Sequence, residues 1–120
     1  MFDALQVGNR KIIIKGVGKL FYQEGFPISM ALSQFNQRGY EVSMLYVADE
    51  CMKNGWSPKT TMAKLRADFV DDIDKNLVDL ALLDRFCHAS YEEQRAMMRK
   101  YLYQGDEETE RIVLRRMLIL

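Results

Sequence analysis

Hydrophobic positions along this 120-residue chain recur mostly at helical spacing, in short segments separated by glycine and proline, with one β-branched run near the start. After Pro27, which suits a first helical position, Ile28, Ala31, Leu32 and Phe35 fall at i, i+3, i+4 and i+7, and Gly39 ends the segment. The next predicted helix, Glu41 to Asn54, has Val42, Leu45, Ala48 and Met52 on one side, widened by Val47 and Cys51. Ser43, Tyr46, Glu50 and Lys53 form its polar stripe. Asn54-Gly55 closes it, because Gly accepts the left-handed backbone that helix ends use. Ser57 then offers a hydroxyl cap to a further helix with Pro58 at its first position. Met62, Leu65, Phe69 and Ile73 recur there at i, i+3, i+7 and i+11, which leaves Lys59, Thr60, Ala63, Lys64 and Arg66 outside.

Downstream, Asn76 to His88 is apolar around most of its circumference and reads as the central core helix. Ser90 and Glu93 make a capping box, so a helix starts at Tyr91, with Met97, Met98, Tyr101 and Leu102 on its apolar side and Gly105 as its stop. A restart at Asp106 carries acids first and Arg111, Arg115 and Arg116 later, the order a helix dipole favours; Met117 to Leu120 is an apolar end. Upstream, Phe2 to Val7 suggests a helical turn, Gly8-Asn9 a turn, Lys11 to Lys15 a short strand and Val17 to Glu24 a short helix ending at Gly25. The strand needs a partner. It pairs with Arg111–Leu120, packs extended on helices, or pairs across a dimer. The fold expected is mainly α, a compact bundle of five or six short helices with a helix-turn-helix-like centre and a small N-terminal strand, in one domain spanning 1–120.

Composition adds little against this: 48% apolar and 28% charged residues are ordinary for a globular domain, and two Pro with seven Gly leave no room for a linker. Charge adds more. Net charge is zero, yet residues 1–67 hold nine Lys or Arg against five Asp or Glu, while 68–120 hold eight against twelve, a distribution that permits a basic face. The start of the chain runs straight into Asp3, Asn9, Arg10 and Lys11 without a secretory pattern or long apolar span, so an intracellular, cytoplasmic protein with reduced Cys51 and Cys87 is expected and no membrane partner.

Candidate chemistry is thin. Zinc would require Cys51, Cys87, His88 and a carboxylate to converge from a spacing that fits no zinc pattern, so the thiols read as small hydrophobes. Cys87 and His88 are adjacent on one helix, about 100° apart, and do not make a nucleophile–base pair. Gly16-Val17-Gly18-Lys19 has the glycines and lysine of a phosphate loop but neither its spacer nor its hydroxyl, Leu20 standing in that place; a strand-to-helix turn is expected. Asp68, Asp71 and Asp72 share a helical face, and no further polar cluster completes an active site around them, so they read as a solvated face or a docking surface for a basic protein. No enzyme, cofactor or metal is expected.

Two resemblances touch parts of the chain. Gly25-Phe26-Pro27 ahead of Ala31 and Leu32, with Glu41-Val42 opening the next helix, resembles the three-helix ubiquitin-associated domain. Trp56-Ser57-Pro58-Lys59-Thr60 after an amphipathic helix resembles the start of the recognition helix in winged-helix repressors of the penicillinase-repressor type, over about twenty residues. It departs at Thr61, where a branched apolar residue is usual, at Asp68, and in having the acidic run Asp68, Asp71, Asp72 and Asp74 where a wing hairpin would follow. The second resemblance implies duplex DNA as partner. Lys59 and Thr60 would then reach base edges or phosphate, Lys64 and Arg66 would contact phosphate, and the C-terminal helices would form core or a homo-oligomer interface. The alternative is a protein-binding module or inhibitor that engages a larger partner through its acidic face or apolar C-terminus. In that case Trp56 fills a core gap and the basic residues are a solvated face.

Overall fold

The computed structural model describes residues 2–68, 80–102 and 111. Expectations for Phe69, Ile73, Asp71, Asp72, Asp74, the first turn of the Asn76–His88 helix, and the segment from Gly105 apart from Arg111 fall outside these residues. Nine elements follow in order: β1 (Asp3–Val7), β2 (Arg10–Lys15), α1 (Val17–Glu24), α2 (Ile28–Gln37), β3 (Glu41–Val42), α3 (Met44–Lys53), α4 (Pro58–Asp68), α5 (Leu80–His88) and α6 (Tyr91–Tyr101). The fold is mainly α with a small N-terminal sheet. Two compact units divide the chain, Met1–His88 and Ala89–Leu120.

The N-terminal expectation needs correction. Phe2 to Val7 is no helical turn: Asp3–Val7 is a strand that joins β2 through the Gly8-Asn9 turn as an antiparallel hairpin, with Leu5 opposite Ile12 and Ala4 opposite Ile13. The cause lies in β2, whose Ile12, Ile13 and Ile14 are all buried and whose backbone therefore needs partners on both sides. β1 supplies one ladder and β3, parallel to β2 through Ile12–Glu41 and Ile13–Val42, supplies the other. Neither a dimer nor the C-terminal segment is required to satisfy it. The same pairing moves the start of the following helix: Glu41 and Val42 are strand, and Ser43 caps α3 by accepting the Leu45 N–H at 3.3 Å. This also parts the chain from the ubiquitin-associated pattern, which needs a helix at Glu41-Val42. Tyr46, placed on the polar stripe of that helix, is buried at 3% exposure.

α1 and α2 share an unusual beginning. Their N-cap positions are Gly16 and Pro27, neither of which has a side chain able to accept a hydrogen bond. The free N–H groups of a helix start must be satisfied from elsewhere. Glu50 of α3 does this for α1, its two carboxylate oxygens each 3.0 Å from the Gly16 N–H and Oε1 also accepting the Lys19 N–H at 3.1 Å. Asp68, at the end of α4, does it for α2, Oδ2 accepting Ile28 N–H at 3.0 Å and Ser29 N–H at 3.4 Å. Both are charge-assisted bonds at the positive end of a helix dipole.

Close approach accompanies the first of these. A Cβ on Gly18 would lie 2.7 Å from the Val47 carbonyl oxygen and 2.7 Å from Glu50 Cβ, so α1 and α3 cross with backbone against side chain at this glycine. Around the crossing, Val17, Phe21, Val47, Ala48 and Cys51 are buried; Ile28, Leu65, Leu83 and Phe86 continue the same unit's core. In the second unit, α6 begins as the capping box predicts, Ser90 Oγ accepting Glu93 N–H at 3.2 Å and donating to Glu93 Oε1 at 3.1 Å.

Glu50→Ala should therefore lower the unfolding free energy in urea by about 1 kcal/mol, since a charged acceptor is removed from a part-buried and an exposed helix-start N–H. Gly18→Ala should cost about as much or more through overpacking against backbone. Unchanged midpoints in both variants would contradict the crossing described.

A candidate nucleic-acid interface on the helix-turn-helix

α3, a four-residue turn from Asn54 to Ser57, and α4 form a helix-turn-helix unit. Its turn is held from the helix before it: the Asn54, Gly55 and Trp56 N–H groups donate to the carbonyls of Glu50, Met52 and Cys51 at 3.0, 3.1 and 3.2 Å. Gly55 has φ 132, and a Cβ there would come within 3.1 Å of the Tyr22 hydroxyl, so the position admits no side chain without strain. Trp56 stands edge-on to Phe21 at 5.6 Å and to Tyr22 at 5.0 Å, both on α1. It is a packing residue that fastens the turn to α1.

Ser57 caps α4 as its sequence position suggests: its hydroxyl accepts the Thr60 N–H at 3.1 Å and donates to Thr60 Oγ1 at 3.0 Å. Thr60 is thereby engaged in the cap and half-buried, with one of the two lone pairs of its hydroxyl already taken by Ser57. Thr61, Met62 and Leu65 are buried, whereas Lys59, Ala63, Lys64, Arg66 and Ala67 are exposed. Seven residues apart, Lys59 and Arg66 lie within about 20° of each other on one flank. Thr60 and Lys64, four apart and so about 40° from each other, occupy the other. Ala63 and Ala67 lie between the two flanks, so the outer face is low at its centre and basic at its edges.

Two departures from the winged-helix pattern change meaning in three dimensions. Thr61 is fully buried where a branched apolar residue is usual, and it has the shape of valine; its Oγ1 has no hydrogen-bond partner among the described residues. Asp68 points its carboxylate into the start of α2 rather than along the basic face. No local pattern betrays this role, because Ile28 and Asp68 are forty residues apart in sequence. The next described element after α4 is helix α5, and the β1–β2 hairpin, the only one among the described residues, precedes the helix-turn-helix.

The charges of the first unit divide unevenly between inside and outside. Glu50 and Asp68 cap helices, Glu41 accepts Arg10 in a two-bond fork at 2.8 and 3.3 Å, and Asp49 pairs with Lys53 at 2.8 Å. Lys11, Lys19, Arg38, Lys59, Lys64 and Arg66 are exposed and form no ion pair among the described residues. Glu24 and Asp84 are exposed acids of the same unit, so the basic character is local to the outer face of α4 rather than general to the surface.

Other candidate chemistry is occupied or dispersed. The Gly16–Lys19 turn already holds the Glu50 carboxylate where a phosphate would need its N–H groups. Burial, then the charge of Glu50, pushes the Cys51 thiol from an ordinary 9.0 up to about 12; burial, then Asp84, pushes Cys87 up to about 11. His88 Nδ1 turns back to its own helix, 3.0 Å from the Asp84 carbonyl oxygen and 3.4 Å from Asp84 Oδ1. Among the described residues no three His, Cys, Asp or Glu side chains converge to hold a metal, and no helix is long and apolar enough to cross a membrane. Comparison with known protein families, with curated proteins and with solved structures gives no match.

Thr61→Val should raise stability by about 1 kcal/mol in thermal or urea unfolding, because it removes an unbonded buried hydroxyl and keeps the shape. A loss of stability would mean that the hydroxyl is satisfied. Both thiols should resist labelling in the folded state near neutral pH and react in denaturant. The stability gained by retaining the Cys51 proton is present below 9.0 and lost as pH rises toward about 12, which alkaline unfolding of wild type against Cys51→Ala measures.

Proposed function

We propose that this is a small nucleic-acid-binding regulatory protein that uses α3, the Asn54–Ser57 turn and α4 as a helix-turn-helix on duplex DNA, without enzymatic activity. The observation that carries the reading is the outer face of α4, where Lys59, Lys64 and Arg66 stand exposed and form no ion pair among the described residues while the neighbouring Asp68 is committed to the start of α2. A recognition helix needs small residues where it enters the major groove and cations where its flanks meet the two phosphate ridges. Ala63 and Ala67 between basic flanks meet that requirement. Lys59 and Arg66 then serve one strand's backbone and Lys64 the other's. Thr60, tied into the Ser57 cap, contributes through the helix start rather than as a free base reader.

The competing reading, a protein-binding module working through an acidic face or an apolar C-terminus, rests on Asp71, Asp72, Asp74 and residues 117–120, outside the described residues. Its one described member, Asp68, is already bonded.

Titration of the full chain into labelled random-sequence duplex DNA tests the proposal. Binding should weaken steeply between about 50 and about 200 mM salt, and Lys59→Ala with Lys64→Ala should flatten the log–log salt slope by about 2 while leaving the circular dichroism spectrum unchanged. Absence of binding at the lowest salt would refute it.

A further inference from the structure

At the opposite end of α2 from its Asp68 cap, three aromatic rings meet in series. Phe2 stands edge-on to Phe35 at 5.0 Å between centroids, and Phe35 edge-on to Tyr40 at 6.3 Å. The C-terminal turn of α2 holds the last two together, since the Arg38 and Tyr40 N–H groups both donate to the Phe35 carbonyl, at 3.0 and 2.9 Å. Phe2 is 44% exposed, Phe35 and Tyr40 are partly so, and no pocket wall or further ring covers them among the described contacts. Lys11, on β2, places its Nζ 5.6 Å from the Tyr40 ring centre, and Arg38 is exposed in the same turn. Two acids adjoin the surface in sequence: Asp3, next to Phe2, lies opposite Lys15 in the β1–β2 pairing, and Glu41 accepts two bonds from Arg10.

We propose that this surface binds single-stranded nucleic acid, with an unpaired base stacked on Phe2 and the adjoining phosphates held by Lys11 and Arg38. Charge selects the class of occupant: Lys11 beside the Tyr40 ring and Arg38 in the turn between Phe35 and Tyr40 form no ion pair among the described residues, so the fitting partner is an anion that also brings flat apolar faces. Single strands supply both in alternation, one phosphate and one ring per nucleotide. A duplex hides its base faces in the stack, and an acidic peptide has the charge without regular planar groups. The surface is formed by α2, β2 and the N-terminus and includes no residue of α4, so it stands independently of the duplex reading.

Fluorescence anisotropy of the full chain with a labelled oligothymidine separates these outcomes. The wild type should bind, Phe2→Ala and Phe2→Leu should each weaken binding about tenfold, and Lys11→Ala with Arg38→Ala should both weaken it and flatten its salt dependence. Phe2→Leu keeps an apolar contact with Phe35 and removes the π face, so its effect distinguishes stacking from a local loss of structure. Lys59→Ala with Lys64→Ala should leave oligothymidine binding unchanged, which keeps this result separate from the fate of the duplex proposal. No binding, equal affinity in both Phe2 variants and wild type, or competition by polyglutamate as effective as by unlabelled oligothymidine would overturn the inference, the last of these in favour of an acidic-protein partner.

Discussion

The first unit depends on a carboxylate placed where a helix cannot cap itself. Gly16 brings no acceptor to the start of α1, and Glu50 reaches across from α3 to accept its N–H groups. That bond requires the two helices to touch, and Gly18 is the residue that lets them. Once α1 lies against α3, the Cys51 thiol donates to the Gly18 carbonyl at 3.5 Å, and Phe21 and Tyr22 are in place to receive Trp56. The direction in which the turn leaves α3, and hence the placement of α4, follows from this one crossing. Asp68 repeats the device at the far end of α4, so both ends of that helix are tied to the α1–α2 pair.

Such use of acids has an electrostatic result that bulk composition conceals. Equal numbers of acidic and basic residues suggest a surface with no preference for polyanions. Caps and ion pairs direct carboxylates inward, however: Glu50 and Asp68 face helix starts, whose positive dipole ends partly offset their charge. Arg10 and Lys53 answer two of the acids as ion pairs, while Lys11, Lys19, Arg38, Lys59, Lys64 and Arg66 remain at the surface. Both proposed interfaces draw on these exposed cations.

Features governed by neighbours in sequence were legible before the structure. The α2 stripe, the Gly25 stop, the Ser57 cap with Pro58 and the Ser90–Glu93 box are all local patterns, and each lies where the periodicity and the capping chemistry place it. Pairings between distant segments were not. Among Asp3, Ala4, Leu5 and Gln6 of β1, Leu5 alone is buried, so its strand character comes from β2 rather than from its own pattern. β3 is two residues long and looked like the first turn of α3, since a short apolar–polar pair fits either period. Glu50 and Tyr46 read as solvent-facing because the polar stripe of α3 is covered by α1 and its neighbours, which one helix's sequence cannot report. For the candidate interface, Lys59, Lys64 and Arg66 were identified by position alone, whereas the orientation of Asp68 and the engagement of the Thr60 hydroxyl required coordinates.

The brevity of β3 also bears on what the chain avoids. Arg10-Lys11-Ile12-Ile13-Ile14-Lys15 contains the most β-prone run in the sequence, the kind of segment that seeds intermolecular sheets when its edge is open. In the fold its backbone is bracketed by β1 on one side and β3 on the other. Because β3 gives way after Val42 to the Ser43 cap and α3, that side of the sheet ends in an edge too short to template another strand. Before folding, Arg10, Lys11 and Lys15 flank the three isoleucines as charged gatekeepers. The isoleucine run is thus guarded twice, by its own flanking charges in the unfolded chain and by the truncated β3 beside it in the native one.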